Sequence, residues 1–183
     1  QRDRHIDLSS RHRWTGTWRL STIRALVMHE PPDKSVSARS MRGAIVVSTY
    51  HSEITSQLEH DAVDAWIDAG GVMDDLRIVH VAGAFELPVA CAAATQWEPG
   101  VDIIVALGCV IKGETTHDQH INTAVATGLS RVAIDSLTPV AMGVLTCGSL
   151  AQAKARCDGT RGRKGTEAMH AALTAARAMR MAS

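Results

Sequence analysis

From Met41 onward, apolar and polar positions fall into two alternating kinds of block. Gly43-Ala-Ile-Val-Val-Ser48 is a short, nearly unbroken apolar run, as expected of a strand buried on both faces. Ile54, Leu58, Ala62, Ala65 and Ala69 then recur at helical spacing until Gly70-Gly71 ends the period. Residues 76–81 read as a second strand. Residues 87–97 read as an alanine-rich helix with Pro88 in its first turn, where a missing N–H costs little. A Pro99-Gly100 turn leads into a third strand over 102–111, again almost continuously apolar. A helix over 118–136 and a strand over 139–145 follow. Ser149 has the chemistry to cap a short helix reaching about residue 156. A polar, basic loop over 159–165 precedes a last helix over 166–181, with Ala171, Ala172, Ala175 and Ala178 marking its packing side.

Strands and helices that alternate this strictly imply a parallel sheet covered on both faces. Right-handed crossovers make a flavodoxin-like strand order the first choice. The expected fold is therefore α/β: a three-layer sandwich with a four-stranded parallel, flavodoxin-like sheet and helices on both faces. Ligands of such sheets bind outside the carboxyl ends of the strands. Four stretches fall there: Thr49-Tyr50-His51, Gly83 to Glu86, Gly108 to His117, and Met142 to Thr146.

Residues 1–40 show no sustained period, and Pro31-Pro32-Asp33 breaks any helix. They carry eight basic against four acidic residues, whereas residues 41–183 carry eleven against fifteen. The division expected is a disordered basic extension over 1–40, on which Trp14 and Trp18 lie four apart, and one domain over 41–183. The Arg-, Ser- and Thr-rich start has the composition of an organelle transit peptide, against which Asp3 and Asp7 count. A cytoplasmic location is expected, with organelle import left open.

Composition narrows the function classes. Nineteen Lys and Arg balance nineteen Asp and Glu, which leaves no electrostatic reason for a nucleic-acid partner. No window holds the roughly 18–20 apolar residues of a membrane span. Cys91, Cys109, Cys147 and Cys157 form no CxxC pair and read as buried free thiols of a reduced compartment. Aromatic residues make up only 3% of the chain, with one Tyr and one Phe among them. Those two, Tyr50 and Phe85, both stand at carboxyl ends of strands, where a flat ring can stack on a heterocycle or simply pack at the rim.

The stretch Gly108-Cys-Val-Ile-Lys-Gly-Glu-Thr-Thr-His117 leaves a buried strand, turns at Gly113 and enters a helix. Unpaired N–H groups and the positive helix end favour an anion there, and Thr115 and Thr116 add hydroxyl donors. The spacing is not that of a Walker loop. At this helix start the dipole favours a neutral imidazole on His117, a useful proton acceptor; a plain surface or capping histidine is the alternative. His117 and His120 flanking Asp118 also admit a metal, without a partner at known zinc spacing elsewhere. Arg156 ends an apolar helix, whereas Arg161 and Arg163 lie in mid-loop. Its guanidinium has the geometry to grip a phosphate, a solvated charge being the alternative.

Taken together, Gly83-Ala-Phe-Glu-Leu-Pro88, Ala106 through His117, Met142-Gly-Val-Leu-Thr146, Leu150-Ala-Gln-Ala and Gly162-Arg-Lys-Gly-Thr-Glu-Ala168 resemble the lumazine synthases of riboflavin biosynthesis. The resemblance covers roughly residues 42–180. It implies condensation of 5-amino-6-ribitylaminouracil with 3,4-dihydroxy-2-butanone 4-phosphate to 6,7-dimethyl-8-ribityllumazine, phosphate and water, without a metal or redox cofactor. By position, His117 matches the family's proton-transfer histidine. Glu114 and Thr115 fall where the butanone phosphate is held, and Arg156 at the arginine that grips it. Tyr50 matches the ring that stacks on the pyrimidine. Ala84, Phe85 and Glu86, with Cys109, Val110 and Ile111, match segments lining the pyrimidine and ribityl pocket. Met142 and Arg156 match positions contributed by a neighbouring subunit. The resemblance further implies homopentamers, often assembled into sixty-subunit icosahedral capsids, and riboflavin synthase as a candidate partner. The family usually has Asn where His51 stands and an aromatic where Met142 stands. These departures motivate an alternative: a catalytically weak, shell-forming or lumazine-binding paralogue. A metal-dependent hydrolase built on His117 and His120 is a third.

Overall fold

Four strands, β1 (Gly43–Ser48), β2 (Leu76–Val81), β3 (Ile103–Ile111) and β4 (Val140–Cys147), pair in the order β2-β1-β3-β4, every pair parallel. The computed structural model describes residues 36–182. Five α-helices complete it: α1 (Ser52–Asp68), α2 (Leu87–Ala94), α3 (His117–Ser136), α4 (Leu150–Lys154) and α5 (Lys164–Ala182). This is the α/β sandwich with a flavodoxin-like parallel sheet that the alternating pattern predicts.

Side chains of a strand point alternately to its two faces, and the two cores follow that rule. Ile45 and Val47 of β1, with Ile103, Val105, Leu107 and Cys109 of β3, pack under α1 and α5 against Ile54, Leu58, Met169 and Leu173. The intervening Ala44, Val46, Ile104, Ala106 and Val110 pack under α2 and α3 against Leu87, Cys91, Val125 and Leu129. The two central strands are therefore buried on both sides, which is why they read as unbroken apolar runs. After α1, Gly70 takes φ +84, and Gly71 passes so close to Trp66 that a Cβ there would lie 2.3 Å from the indole. That close approach, as much as the helix end, is what requires glycine.

Three expectations need adjustment. Helix α2 stops at Ala94, not at residue 97, because the chain tightens into turns in which Gln96 N–H donates to Ala93 and Trp97 N–H to Ala94. Helix α5 begins at Lys164 and buries Ala168, Met169, Ala172, Leu173 and Ala176, while Ala171 and Ala178 are exposed. Alanine marks a helix face poorly, and the bulkier Met169 and Leu173 set the orientation. Packing also reaches back before residue 41. Val36 and Ala38 are buried, and Ala38 N–H donates to Ala69 at 2.8 Å. So short an alternation carries no readable period. Trp14, Trp18 and the Pro31-Pro32-Asp33 turn lie outside the described residues.

All four cysteines are free and buried, and burial pushes the Cys91 and Cys109 thiols up to about 12. Only the thiolate attacks an alkylating agent, so at pH 8 these thiols are expected to resist iodoacetamide in the folded protein and to react quickly in denaturant. Mass spectrometry of timed samples checks this; rapid labelling of Cys91 or Cys109 in the native protein would contradict it. Among the described residues no helix is long and apolar enough to cross a membrane.

Candidate active site

Three connections leave the carboxyl ends of β1, β2 and β3 side by side. After β1, Thr49 N–H donates to Val81 at 2.9 Å, which extends the pairing one residue past the strand. The His51 carbonyl accepts from both Ile54 and Thr55 N–H and starts α1. Its ring meets Tyr50 edge-on at 4.9 Å, and Tyr50 itself is 79% exposed. After β2, the Glu86 carboxylate accepts from Gly83 N–H at 2.8 Å and closes a single turn over Ala84–Glu86. That turn sends Ala84 and Leu87 into the core and leaves Phe85 60% exposed. In a chain with one Tyr and one Phe, both rings stand free at the mouth of the sheet.

After β3, Lys112 N–H donates to Cys147, and the chain runs through exposed Gly113, Glu114, Thr115 and Thr116 into α3. Thr116, at the cap, makes no side-chain capping bond. Among the described residues the His117 N–H has only the Thr115 hydroxyl oxygen as a partner, at 3.4 Å. The first turn of α3 thus holds donors that the helix itself cannot satisfy, the arrangement that accepts an anion.

These connections enclose a cleft of about 790 Å³. Tyr50, Ala84, Phe85 and Glu86 line one side, Cys109, Val110 and Ile111 the floor, and Gly113, Thr115 and His117 the helix side. Glu114 sits between two lining residues but is itself turned out to solvent. Met142, on the face of β4 that it shares with Val140 and Val144 and 44% exposed, is not part of the lining. Nor is Arg156, whose guanidinium donates to the Gln152 carbonyl at 2.8 Å.

The cleft also holds Ile121 and Ala124, which the sequence reading did not single out, together with His51, which it placed in a strand-end stretch, and Asp118 and His120, which it named only for a metal. A signal for most of them was available. His117, His120, Ile121 and Ala124 fall at helical spacing and must share the face of α3 that carries His117. Asp118 keeps one carboxylate oxygen buried without a hydrogen-bond partner among the described residues. Among those residues no three His, Cys, Asp or Glu side chains gather as a metal would require.

The cleft therefore offers two exposed rings on one wall, an anion-accepting helix start on another, and an imidazole at that helix start. It suits a flat heterocycle and an anionic reactant held together. The family model described as 6,7-dimethyl-8-ribityllumazine synthase matches residues 40–180. A protein of that name from Corynebacterium kroppenstedtii is 42% identical over 146 residues, 79% of this chain and 88% of its own. One from Rhodopirellula baltica is 43% identical over 136 residues, 73% of this chain and 86% of its own. One from Mycolicibacterium vanbaalenii is 39% identical over 155 residues, 84% of this chain and 96% of its own. With the parallel sheet and its cleft, these matches show that the chain belongs to the 6,7-dimethyl-8-ribityllumazine synthase family.

Proposed function

We propose that this chain catalyses the last step to 6,7-dimethyl-8-ribityllumazine at the cleft beside β1, β2 and β3. The observation that carries it is the single cleft in which the stacking rings and the helix start with His117 face one another. The pyrimidine of 5-amino-6-ribitylaminouracil stacks on Tyr50, with Ala84, Phe85 and Glu86 beside it and Cys109, Val110 and Ile111 beneath. The phosphate of 3,4-dihydroxy-2-butanone 4-phosphate sits at the main-chain N–H groups of Glu114, Thr115 and the first turn of α3, with the Glu114 carboxylate out in solvent. The reacting amine and ketone are then neighbours, which removes much of the entropic barrier to the condensation. His117 moves the protons that carbinolamine formation, phosphate departure and ring closure require.

Arg156 and Met142 lie outside this cleft, so in this reading each serves the cleft of an adjoining protomer. The exposed Val89 of α2, together with Ile134 and Leu137 at the end of α3, supports an assembly that buries them. A pentamer, with the short 156–165 loop permitting a sixty-subunit shell, fits this requirement. Riboflavin synthase, which would consume the product, is the protein partner that fits the shell. The four buried free thiols suit a reducing compartment such as the cytoplasm.

Mixing the purified protein with both substrates should generate lumazine absorbance and fluorescence well above the uncatalysed rate. Lumazine binding without turnover would instead favour the paralogue. Arg156→Ala should raise KM for the butanone phosphate by roughly 10- to 150-fold, the loss of one hydrogen bond to a charged group. Steady-state kinetics with the phosphate substrate varied checks this. An unchanged KM would contradict the assignment.

A further inference from the structure

Helices α1 and α5 cross at Gly165, where a Cβ would lie 2.0 Å from the Leu58 carbonyl oxygen and 2.9 Å from Asp61 Cβ. At that crossing the Asp61 carboxylate is wholly buried. Its Oδ1 accepts from Gln57 Nε2 at 3.0 Å and from Arg163 Nη1 at 3.3 Å. Its Oδ2 is buried without a hydrogen-bond partner among the described residues. Thr166 Oγ1 donates to the Asp61 main-chain carbonyl at 3.2 Å. Arg163 belongs to the basic loop, and its side chain is 58% exposed.

A buried carboxylate with one guanidinium and an unsatisfied oxygen gains little stability, because desolvation offsets the attraction. What it supplies is register: among the described residues its charge is paired only when the loop brings Arg163 to it. That loop is continuous with Arg156. Lys164 N–H donates to the Arg156 carbonyl at 3.0 Å, and Arg161 N–H to Ala155 at 2.7 Å. Before Arg156, Lys154 pairs with Glu53 of α1 at 2.9 Å, but both partners are half exposed and the pair is weak. Ala153 and Cys157, on either side of Arg156, are buried in the core shared with α1, and the Asp61–Arg163 pair is the ion pair between α1 and this loop that has a wholly buried partner.

We propose that Asp61 and Arg163 are positioning residues for Arg156: their ion pair across α1 and the 156–164 loop sets the place from which the Arg156 guanidinium reaches the substrate phosphate. The inference rests on the phosphate-gripping reading of Arg156. Its test is a comparison of Arg156→Ala, Arg163→Gln, Arg163→Lys and Asp61→Asn. KM for each substrate, kcat, inhibition by inorganic phosphate, particle size and Tm are measured for each.

Arg163→Gln and Asp61→Asn should raise KM for the butanone phosphate and the inhibition constant of inorganic phosphate by about five- to tenfold. KM for the pyrimidine should stay within about twofold, and Arg163→Lys should recover most of the loss. In an Arg156→Ala background, Arg163→Gln should add nothing, since the two act through one group. If Arg156→Ala raises KM and Arg163→Gln does not, the positioning role is overturned. It is equally overturned if Arg163→Gln changes only Tm or shifts both KM values alike. Arg163 is largely exposed, so its variants decide the matter even if Asp61→Asn fails to fold. An unmoved KM in Arg156→Ala would overturn the reading of Arg156 first, and the positioning role with it.

Discussion

Trp66→Ala is expected to destabilise the folded protein by about 3–5 kcal/mol, the cost of emptying a large aromatic site in a core. The indole is fully buried on α1, and its N–H donates to the Val72 carbonyl at 2.9 Å. It fills the space between Gly43 at the start of β1 and Gly71 after α1. Two of the positions against it, Gly43 and Gly71, have no side chain with which to fill the void. No second Trp, Tyr or Phe ring among the described residues is placed to fill it. Among the described residues Tyr50 and Phe85 are exposed and Trp97 is half-buried beneath the Arg77 guanidinium. Trp66→Phe should lose clearly less, since most of the apolar volume remains while the hydrogen bond goes. Denaturant unfolding at one fixed protein concentration measures both. A loss under about 1 kcal/mol for Trp66→Ala would mean that the packing against Gly71 is not what holds α1 to the sheet.

The layered architecture was legible because central strands of a parallel sheet are buried on both faces and so write themselves as apolar runs. Gly43 to Ser48 and the strand ending at Ile111 are of this kind, and the helices between them carry clean periods. What was not legible is decided by residues of weak preference. Ala171 and Ala178 do not mark the buried face of α5, because alanine is as acceptable to water as to a core. Val36 and Ala38 are too few to form a period, yet tertiary packing buries them. The end of α2 depends on turn hydrogen bonds that leave no mark in composition.

The site divides along the same line. Residues next to strand ends, such as Tyr50, Phe85 and the Gly113 to His117 turn, follow directly from topology once the sheet is parallel. His120, Ile121 and Ala124 follow only if helical spacing is continued from His117. Arg163 shows a different limit. A basic loop residue reads as solvated charge, and its partner Asp61 lies 102 positions away on another helix. Asp61 stands three residues after Leu58 and four before Ala65, so helical spacing places it on the packing face of α1; what nothing local marks is that Arg163 will be its partner.

His117→Ala is expected to lower kcat by roughly 10²-fold or more, the usual contribution of a positioned proton-transfer group. His117 is the first residue of α3, and its ring lines the cleft beside Thr115 and the anion-accepting turn. It is exposed, so its removal should leave Tm nearly unchanged and separate chemistry from folding. KM for either substrate should move far less than kcat, because Tyr50 and the helix N–H groups remain. His120 provides the internal control. It lies one turn along the same face of the same helix and lines the same cleft. If nearness of any imidazole sufficed, His120→Ala would cost as much. If the proton must be moved at the anion-accepting end of α3, His120→Ala should cost only a few-fold. Rates are taken after subtracting the uncatalysed condensation. A loss below about tenfold in His117→Ala, or a larger loss in His120→Ala, would move the proton-transfer role away from His117 and leave it a positioning part at most.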